Sequence, residues 1–316
     1  MKRILAVCLV ALTLSSCAVQ NKAVTLVTHD SFAISDELLK QYEKDTGNKL
    51  TLVRAGDAGA MTSKLVLTKD SPIADVMYGI DNTFSPVALE NNIIDGSLVL
   101  IDYADVCFNV DLRYFKNNKL EIPTHWNQLV DPKYKNLTVI ENPNTSSPGL
   151  AFLASTYSYF DSPITWWKKL KNNGVKVAAS WEDAYYTDFS GSAGRGNYPI
   201  VLSYSSSPAD EVDSQGKATT AALRQDCFRQ NEYAGILKNA KNPRAAKTVI
   251  DFLQSNSFQA SMPENMFVYP TADVALPKAW QQNAQPALTT IGGDLDIPAN
   301  RDKWLADFNL VFDVAP

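Results

Sequence analysis

The chain has 316 residues, 45% hydrophobic and 20% charged, an ordinary balance for a soluble globular protein and long enough for two domains. A net charge of −5, with no basic run, speaks against a nucleic-acid partner. There is no low-complexity tract and no internal repeat.

Residues 1–16 read as an export signal. Lys2 and Arg3 supply a positive start, and Ile4–Leu14 is apolar but too short to cross a bilayer. The ending Leu14-Ser15-Ser16-Cys17 resembles the lipobox of bacterial lipoproteins. That resemblance implies cleavage before Cys17, acylation of its sulfur, a tether over residues 17–23, and an extracytoplasmic protein anchored by lipid to a bacterial membrane. The alternative is a plain signal peptide with a chance cysteine. With Cys8 removed and Cys17 lipidated, Cys107 and Cys227 remain in an oxidising setting, which favours one disulfide over two free buried thiols.

From residue 24 the pattern alternates. Residues 24–28 (VTLVT), 50–54 (LTLVR) and 74–78 (ADVMY) read as strands. Helices are expected over 36–44, stopped by Gly47, over 58–68, and within 85–91. Such alternation predicts a parallel sheet covered on both faces, with ligands at the carboxyl ends of its strands. Those ends are His29-Asp30-Ser31, Ala55-Gly56-Asp57 and Gly79-Ile80-Asp81. A single Asp there is an ordinary cap or turn residue. Three on one sheet edge suggest a carboxylate-lined cleft, with Asp30 and Asp81 foremost.

Residues 99–110 form a long apolar strand, and a second αβ block follows. It comprises a helix near 126–130, a strand at 137–140, and the turn ENPNTSSPGL at 141–150. Ser147 is placed to cap a helix that starts at Pro148, so Thr145, Ser146 and Ser147 would surround free N–H groups suited to an anion. An ordinary capped helix is the competing reading. Further helices are expected at 165–172, 181–189 and 242–256, strands at 175–178, 199–208 and 226–237, and a flexible Gly-rich loop at 191–196. The long strands near 105 and 230 suggest two lobes joined by two crossings, each crossing carrying one of the cysteines.

The runs THDSF, ADVMYGIDN, NPNTSSPGL, SWEDAY, LSYSSSPA and MPENMFVYP, in this order, resemble substrate-binding proteins of thiamine ABC transporters. The resemblance implies an α/β, type II periplasmic-binding-protein fold. The lobes would be 24–104 plus 232–316 and 105–231, with hinges near 105 and 230. It implies thiamine or a thiamine phosphate as ligand, an ABC permease as partner, a monomer, no cofactor and no catalysis. Thiamine's thiazolium cation calls for carboxylates and aromatic faces, and a phosphate calls for hydroxyls and helix N-termini. The candidate ligand-binding set is therefore Asp30, Ser31, Asp57, Asp81, Ser146, Ser147, Trp181, Tyr204, Phe267 and Tyr269. The sequence departs from the family pattern at His29, where tyrosine is expected, at Phe267, where tryptophan is common, at Asp210, where an aromatic can occur, and after Phe32, where some relatives carry tryptophan. The pair Tyr185-Tyr186 keeps a ferric-ion binder of the same fold as an alternative. A hydrolase built on His29, Asp30 and a serine lacks a G-x-S-x-G elbow, and the sequence has only His29 and His125 as histidines, with no zinc motif.

Overall fold

A computed structural model of the protein describes residues 23–192 and 196–315. The signal, the lipobox cysteine Cys17, the rest of the tether as far as residue 22, and part of the Gly-rich loop lie outside the described residues.

The first block is β1 (Ala23–Thr28), α1 (Asp36–Thr46), β2 (Lys49–Arg54), α2 (Ala58–Leu67), β3 (Val76–Asp81) and α3 (Ser85–Glu90). The Ser35 hydroxyl starts α1 by accepting the Leu38 N–H, and the Gly47 N–H closes it on the Glu43 carbonyl. β1 runs parallel to β2 and β3, and all six residues of β3 are buried. An 18-residue strand, β4 (Ile94–Asp111), then leaves the block.

The second block holds α4 (Leu112–Asn117), β5 (Thr138–Glu141), α5 (Ser147–Tyr159), α6 (Pro163–Asn172), β6 (Lys176–Ala178) and β7 (Ile200–Tyr204). Both segments expected to be helical are so, Trp126–Val130 as a short 3-10 helix and Asp183–Asp188 as a π-helix. A second 18-residue strand, β8 (Thr220–Leu237), returns. It is followed by α7 (Pro243–Leu253), α8 (Asn256–Met266), β9 (Tyr269–Pro270), α9 (Lys278–Asn283) and α10 (Ile297–Phe312).

The strands form one sheet in the order β2-β1-β3-β8-β4-β7-β5-β6, with β9 beside β4. Pairing is parallel within each block and antiparallel in the middle, where β8 lies between β3 and β4 and β4 pairs with β7. Each block thus keeps the expected parallel character, and the two long strands fuse them. Cys107 on β4 and Cys227 on β8 are joined by a disulfide. Beside it, the buried carboxylate of Asp105 pairs with Arg229 and accepts the Ala287 N–H. The chain passes here a third time, with the Cys227 N–H bonded to the Thr289 carbonyl and the Ile291 N–H to the Cys227 carbonyl.

Two differences from the sequence reading concern the C-terminal third. The helix expected over 242–256 ends at Leu253, and Ser255 caps a separate helix, α8, by accepting the Phe258 N–H. The final helix packs on α5 and α6, burying Trp304, Leu305 and Phe308. Residues 297–312 therefore sit with the second block, although the sequence placed them with the first. The reason is the third passage, which carries the chain back across.

Candidate functional site

The carboxyl ends of β1 and β2 meet the second block across a narrow cleft. His29 follows β1, and its ring lies against the backbone of Gly79. A Cβ built there would stand 2.1 Å from the imidazole, and Gly79 has φ +101°, where β3 shifts register against β8. Glycine at this bulge is what allows the ring its place. Asp57 caps α2, accepting the Ala58 N–H at 2.7 Å and, from across the cleft, the Trp181 N–H at 2.9 Å. The N–H groups of Gly59 and Ala60 donate to the Thr145 carbonyl at 2.9 and 3.3 Å. A Cβ at residue 59 would sit 2.8 Å from that carbonyl, so glycine permits this approach of the lobes.

The chamber is lined by His29, Ser31, Asp57 and Ala58 from the first block, Trp181 and Tyr204 from the second, Glu232 on β8, and Met266 and Val268 at the end of α8. Its cavity measures about 30 Å³, about one water molecule. Trp181 is held on three sides. Its Nε1–H donates to Ser203 at 3.0 Å, its ring stacks on Tyr185 at 5.0 Å and 13°, and Tyr204 tilts against it at 5.9 Å. A second space of about 290 Å³ forms a vestibule lined by Asp30, Ser31, Trp181, Glu182, Tyr186 and Phe267, among others.

Burial governs the electrostatics. Desolvation lowers the His29 pKa against the opposing pull of Asp57, Asp30 and Glu182, so the imidazole is neutral, and its Nε2 has no hydrogen-bond partner. Glu232 lies 3.8 Å from that nitrogen, and desolvation followed by repulsion from Asp81 pushes its carboxyl up to about 7. Behind it the Tyr78 hydroxyl donates to Asp102 at 2.6 Å and stands 3.1 Å from Glu232. Burial and the charge of Glu232 raise Asp102 well above the usual carboxylate range. Asp57 is also raised by burial, against the N–H groups of Trp181 and Ala58.

The structure brings Ser31, Asp57, Trp181 and Tyr204 into the chamber and Asp30 and Phe267 into the vestibule. It places four other candidates elsewhere. Asp81 closes the turn before α3, accepting from the Thr83 hydroxyl and N–H and the Phe84 N–H. Tyr269 stacks on Tyr103 and packs on Trp280. Ser146, rather than Ser147, is the residue preceding α5, and Pro148 stands second in the helix. The Ser146 hydroxyl lies beside the Asp57 carboxylate and helps to hold its pKa down, the Ser147 hydroxyl has no partner, and neither serine is among the residues lining the chamber. The expected Ser147 cap fails because the helix begins one residue early. The candidate set left out His29, noted in the sequence only as a departure from the family pattern, and missed Ala58, Glu232, Met266 and Val268. An acid inside the strand run NEYAGIL is the signal that could have found Glu232. Of the tyrosine pair, Tyr185 directs its hydroxyl to Glu211 and stacks under Trp181, and Tyr186 alone reaches the vestibule. Among the described residues no group of three or more His, Cys, Asp or Glu is placed to hold a metal ion.

A two-block α/β sheet with long central crossings and a cleft at the strand ends defines a binding protein of the type II periplasmic class. The family model for bacterial extracellular solute-binding proteins matches residues 71–290, and the chain belongs to that family. It is similar to the thiamine-binding periplasmic proteins of Salmonella typhimurium, 28% identical over 90% of this chain and 91% of that one, and of Escherichia coli, 29% identical over 95% and 97%. Among solved structures, a periplasmic thiamin binding protein superposes with a TM-score of 0.81 at 25% identity, covering 92% of this chain and 96% of that one. Iron-bound HitA of Pseudomonas aeruginosa superposes at 0.67 with 16% identity, covering 91% and 99%, which speaks to fold alone. The protein is thus an extracytoplasmic solute-binding component of an ABC import system, and its relatives are transport proteins and not enzymes.

Proposed function

We propose that this chain captures thiamine or a thiamine phosphate and delivers it to an ABC permease. The observation that carries the reading is the chamber, which pairs an acidic wall (Asp57, Glu232) with an aromatic one (Trp181, Tyr204). A permanent thiazolium cation cannot shed its charge on burial, so its site must supply carboxylate or aromatic density. The likeness to thiamine-binding relatives over nine-tenths of the chain supports the choice of cation. The ligand-binding set proposed is Ser31, Asp57, Trp181 and Tyr204 in the chamber, with Asp30 and Phe267 at its mouth.

A two-ring ligand needs far more room than one water, so the lobes part to admit it. They turn about hinges near 105 and 230, breaking the bonds of Asp57 to Trp181 and of Gly59 and Ala60 to Thr145. Acylated Cys17 and the tether would keep the protein, a monomer, beside the membrane. Titration calorimetry of residues 18–316 with thiamine tests the proposal. Saturable one-to-one binding is expected, and absence of heat at millimolar thiamine would sink it.

A further inference from the structure

We propose that the end of the first block opposite the cleft is a basic face that lies on the anionic phospholipid surface of the membrane holding the anchor. The inference rests on the lipobox reading for where the chain meets that membrane, and not on the identity of the ligand.

The chain enters the described fold at Ala23, the amino end of β1, where it pairs with Lys49 at the start of β2. The turn between β8 and α7 closes over this point. There the Asn242 side-chain amide donates to the Ala23 carbonyl at 2.9 Å. Asp75, buried just before β3, holds the turn in place by accepting the N–H groups of Thr25 and Asn242 at 2.9 and 2.8 Å. Asn239 reaches toward the Lys69 carbonyl after α2, at 3.5 Å, and Leu237 pairs with Ile94 at the start of β4. One end of the sheet thus gathers the tether exit and the turns that precede β2, β3 and β4 and follow β8.

The charge of these turns runs against that of the chain. Their exposed bases are Lys49, Lys69, Lys238, Lys241 and Arg244, and their exposed acids are Asp70 and Asp95 alone. The carboxylate of Asp75 is turned inward and taken up by the fold. At the adjoining end of α1, Lys44 and Asp45 offset each other. Among the described residues, none of the five bases has an ion-pair partner. The whole chain carries −5, and its cleft end bears Asp30, Asp57, Glu182 and Glu232. The helix α7 also starts on the basic face. Its N-cap Asn242 gives its side chain to Ala23 and makes no cap bond, which leaves the positive helix end open beside a hollow of about 230 Å³ lined by Lys241 and Arg244.

Reach and charge together select the occupant. Residues 17–22 join the acylated sulfur to Ala23, and a span of that length extends at most about 20 Å. The anchor therefore confines this face, rather than the cleft, to the neighbourhood of the headgroups. The tether itself contributes Lys22 and no acid. Within a Debye length of an anionic leaflet, about 8–10 Å, each lysine or arginine adds roughly fivefold to the attraction. Docked in this way, β1 stands on the bilayer by its amino end, and the cleft at its carboxyl end stays open to solution.

The test uses vesicles of phosphatidylcholine alone and of phosphatidylcholine with one-third phosphatidylglycerol, at low and high salt. The unacylated chain, residues 18–316, is expected to partition onto the phosphatidylglycerol vesicles at least about tenfold better and to leave them at high salt. Lys241→Glu combined with Arg244→Glu should cut that partition by about tenfold or more. Lys168→Glu with Lys169→Glu makes the same charge change on α6 of the second block and should cut it by less than about twofold. All five substituted or footprinted bases are exposed, and melting curves check that the variants fold. On the acylated protein, chemical acetylation should spare Lys49, Lys238 and Lys241 on phosphatidylglycerol vesicles and mark Lys168 equally on both. An unacylated chain that ignores phosphatidylglycerol would overturn the membrane as occupant and leave an acidic protein surface in its place. Equal losses from the two double variants would overturn the location. Cys17 free of lipid in protein recovered from cells would defeat the anchor reading alone, and the vesicle partition would still decide the face.

Discussion

The two walls of the cleft are chemically unlike. The first lobe presents His29, Asp30, Ser31 and Asp57, all borne on turns after strands, and the second presents Trp181, Tyr186 and Tyr204. Three of the four acids lining the cleft, Asp30, Asp57 and Glu232, stand on one side, and Trp181, Tyr186 and Tyr204 stand on the other with Glu182 beside them. The acids come from turns because strand ends and helix caps favour Asp. The rings are fixed because they lean on a packed cluster of Tyr185, Phe189 and Val139. A flat cation meeting both walls would couple the lobes, since inside the chamber the carboxylates of Asp57 and Glu232 come from one side and the rings of Trp181 and Tyr204 from the other.

Breaking the tie between the walls should have the largest effect. Replacing Cys107 and Cys227 by alanine opens a link between residues 120 apart in sequence and should lower unfolding free energy by about 2–5 kcal/mol in urea melts, with ligand affinity changed only a few-fold. Next comes charge burial on the acidic side. The folded-state pKa of Glu232 is raised from the ordinary 4.5 to about 7, so the folded chain holds this proton longer than the unfolded one. Its contribution to stability is full below pH 4.5 and fades as pH rises through about 7. Without ligand, wild type should lose on the order of 2–3 kcal/mol relative to Glu232→Gln across that window, read from denaturant melts at each pH. Parallel pH curves would mean the carboxyl is not held protonated.

On the aromatic side, Trp181→Ala should weaken thiamine by about 1–3 kcal/mol, by analogy with aromatic stacking on nucleobases, and Trp181→Phe by less. Undiminished binding would move the aromatic wall elsewhere. Gly59→Ala places a methyl against the Thr145 carbonyl and should cost about 1 kcal/mol in affinity, through a faster off-rate in stopped flow. The smallest change is expected from Asp30→Asn at the exposed mouth, a few tenths of a kcal/mol that added salt removes.

Much of this architecture can be read from residue order alone. The β1-α1-β2-α2-β3 alternation, the two long strands and their cysteines, and the acid-bearing edge with Asp30 and Asp57 all follow from local pattern. The cleft's other half resists such reading. Asp81 looks like its neighbours in sequence, yet a threonine two residues on absorbs its charge. Glu232 lies mid-strand, and only the pairing of β8 with β3 and β4 decides which face it takes. Met266 arrives on α8, whose interior Pro263 and weak stripe disguise a helix, and Val268 just beyond its Phe267 cap. Ser146 and Ser147 carry every sign of a binding loop, yet the helix starts one residue early, and Ser146 stands behind Asp57 without lining the chamber itself.

The junction of the blocks has a mechanical consequence. Three passages of chain lie side by side there, stitched by a covalent bridge, the pair of Asp105 with Arg229 and the backbone rungs to Thr289 and Ile291. Sliding would shear all of these at once, whereas swinging leaves them intact. On the proposed hinges near 105 and 230, the molecule would have one soft coordinate, an angle. A permease contacting both halves would then read that angle as a single gauge of whether cargo is aboard.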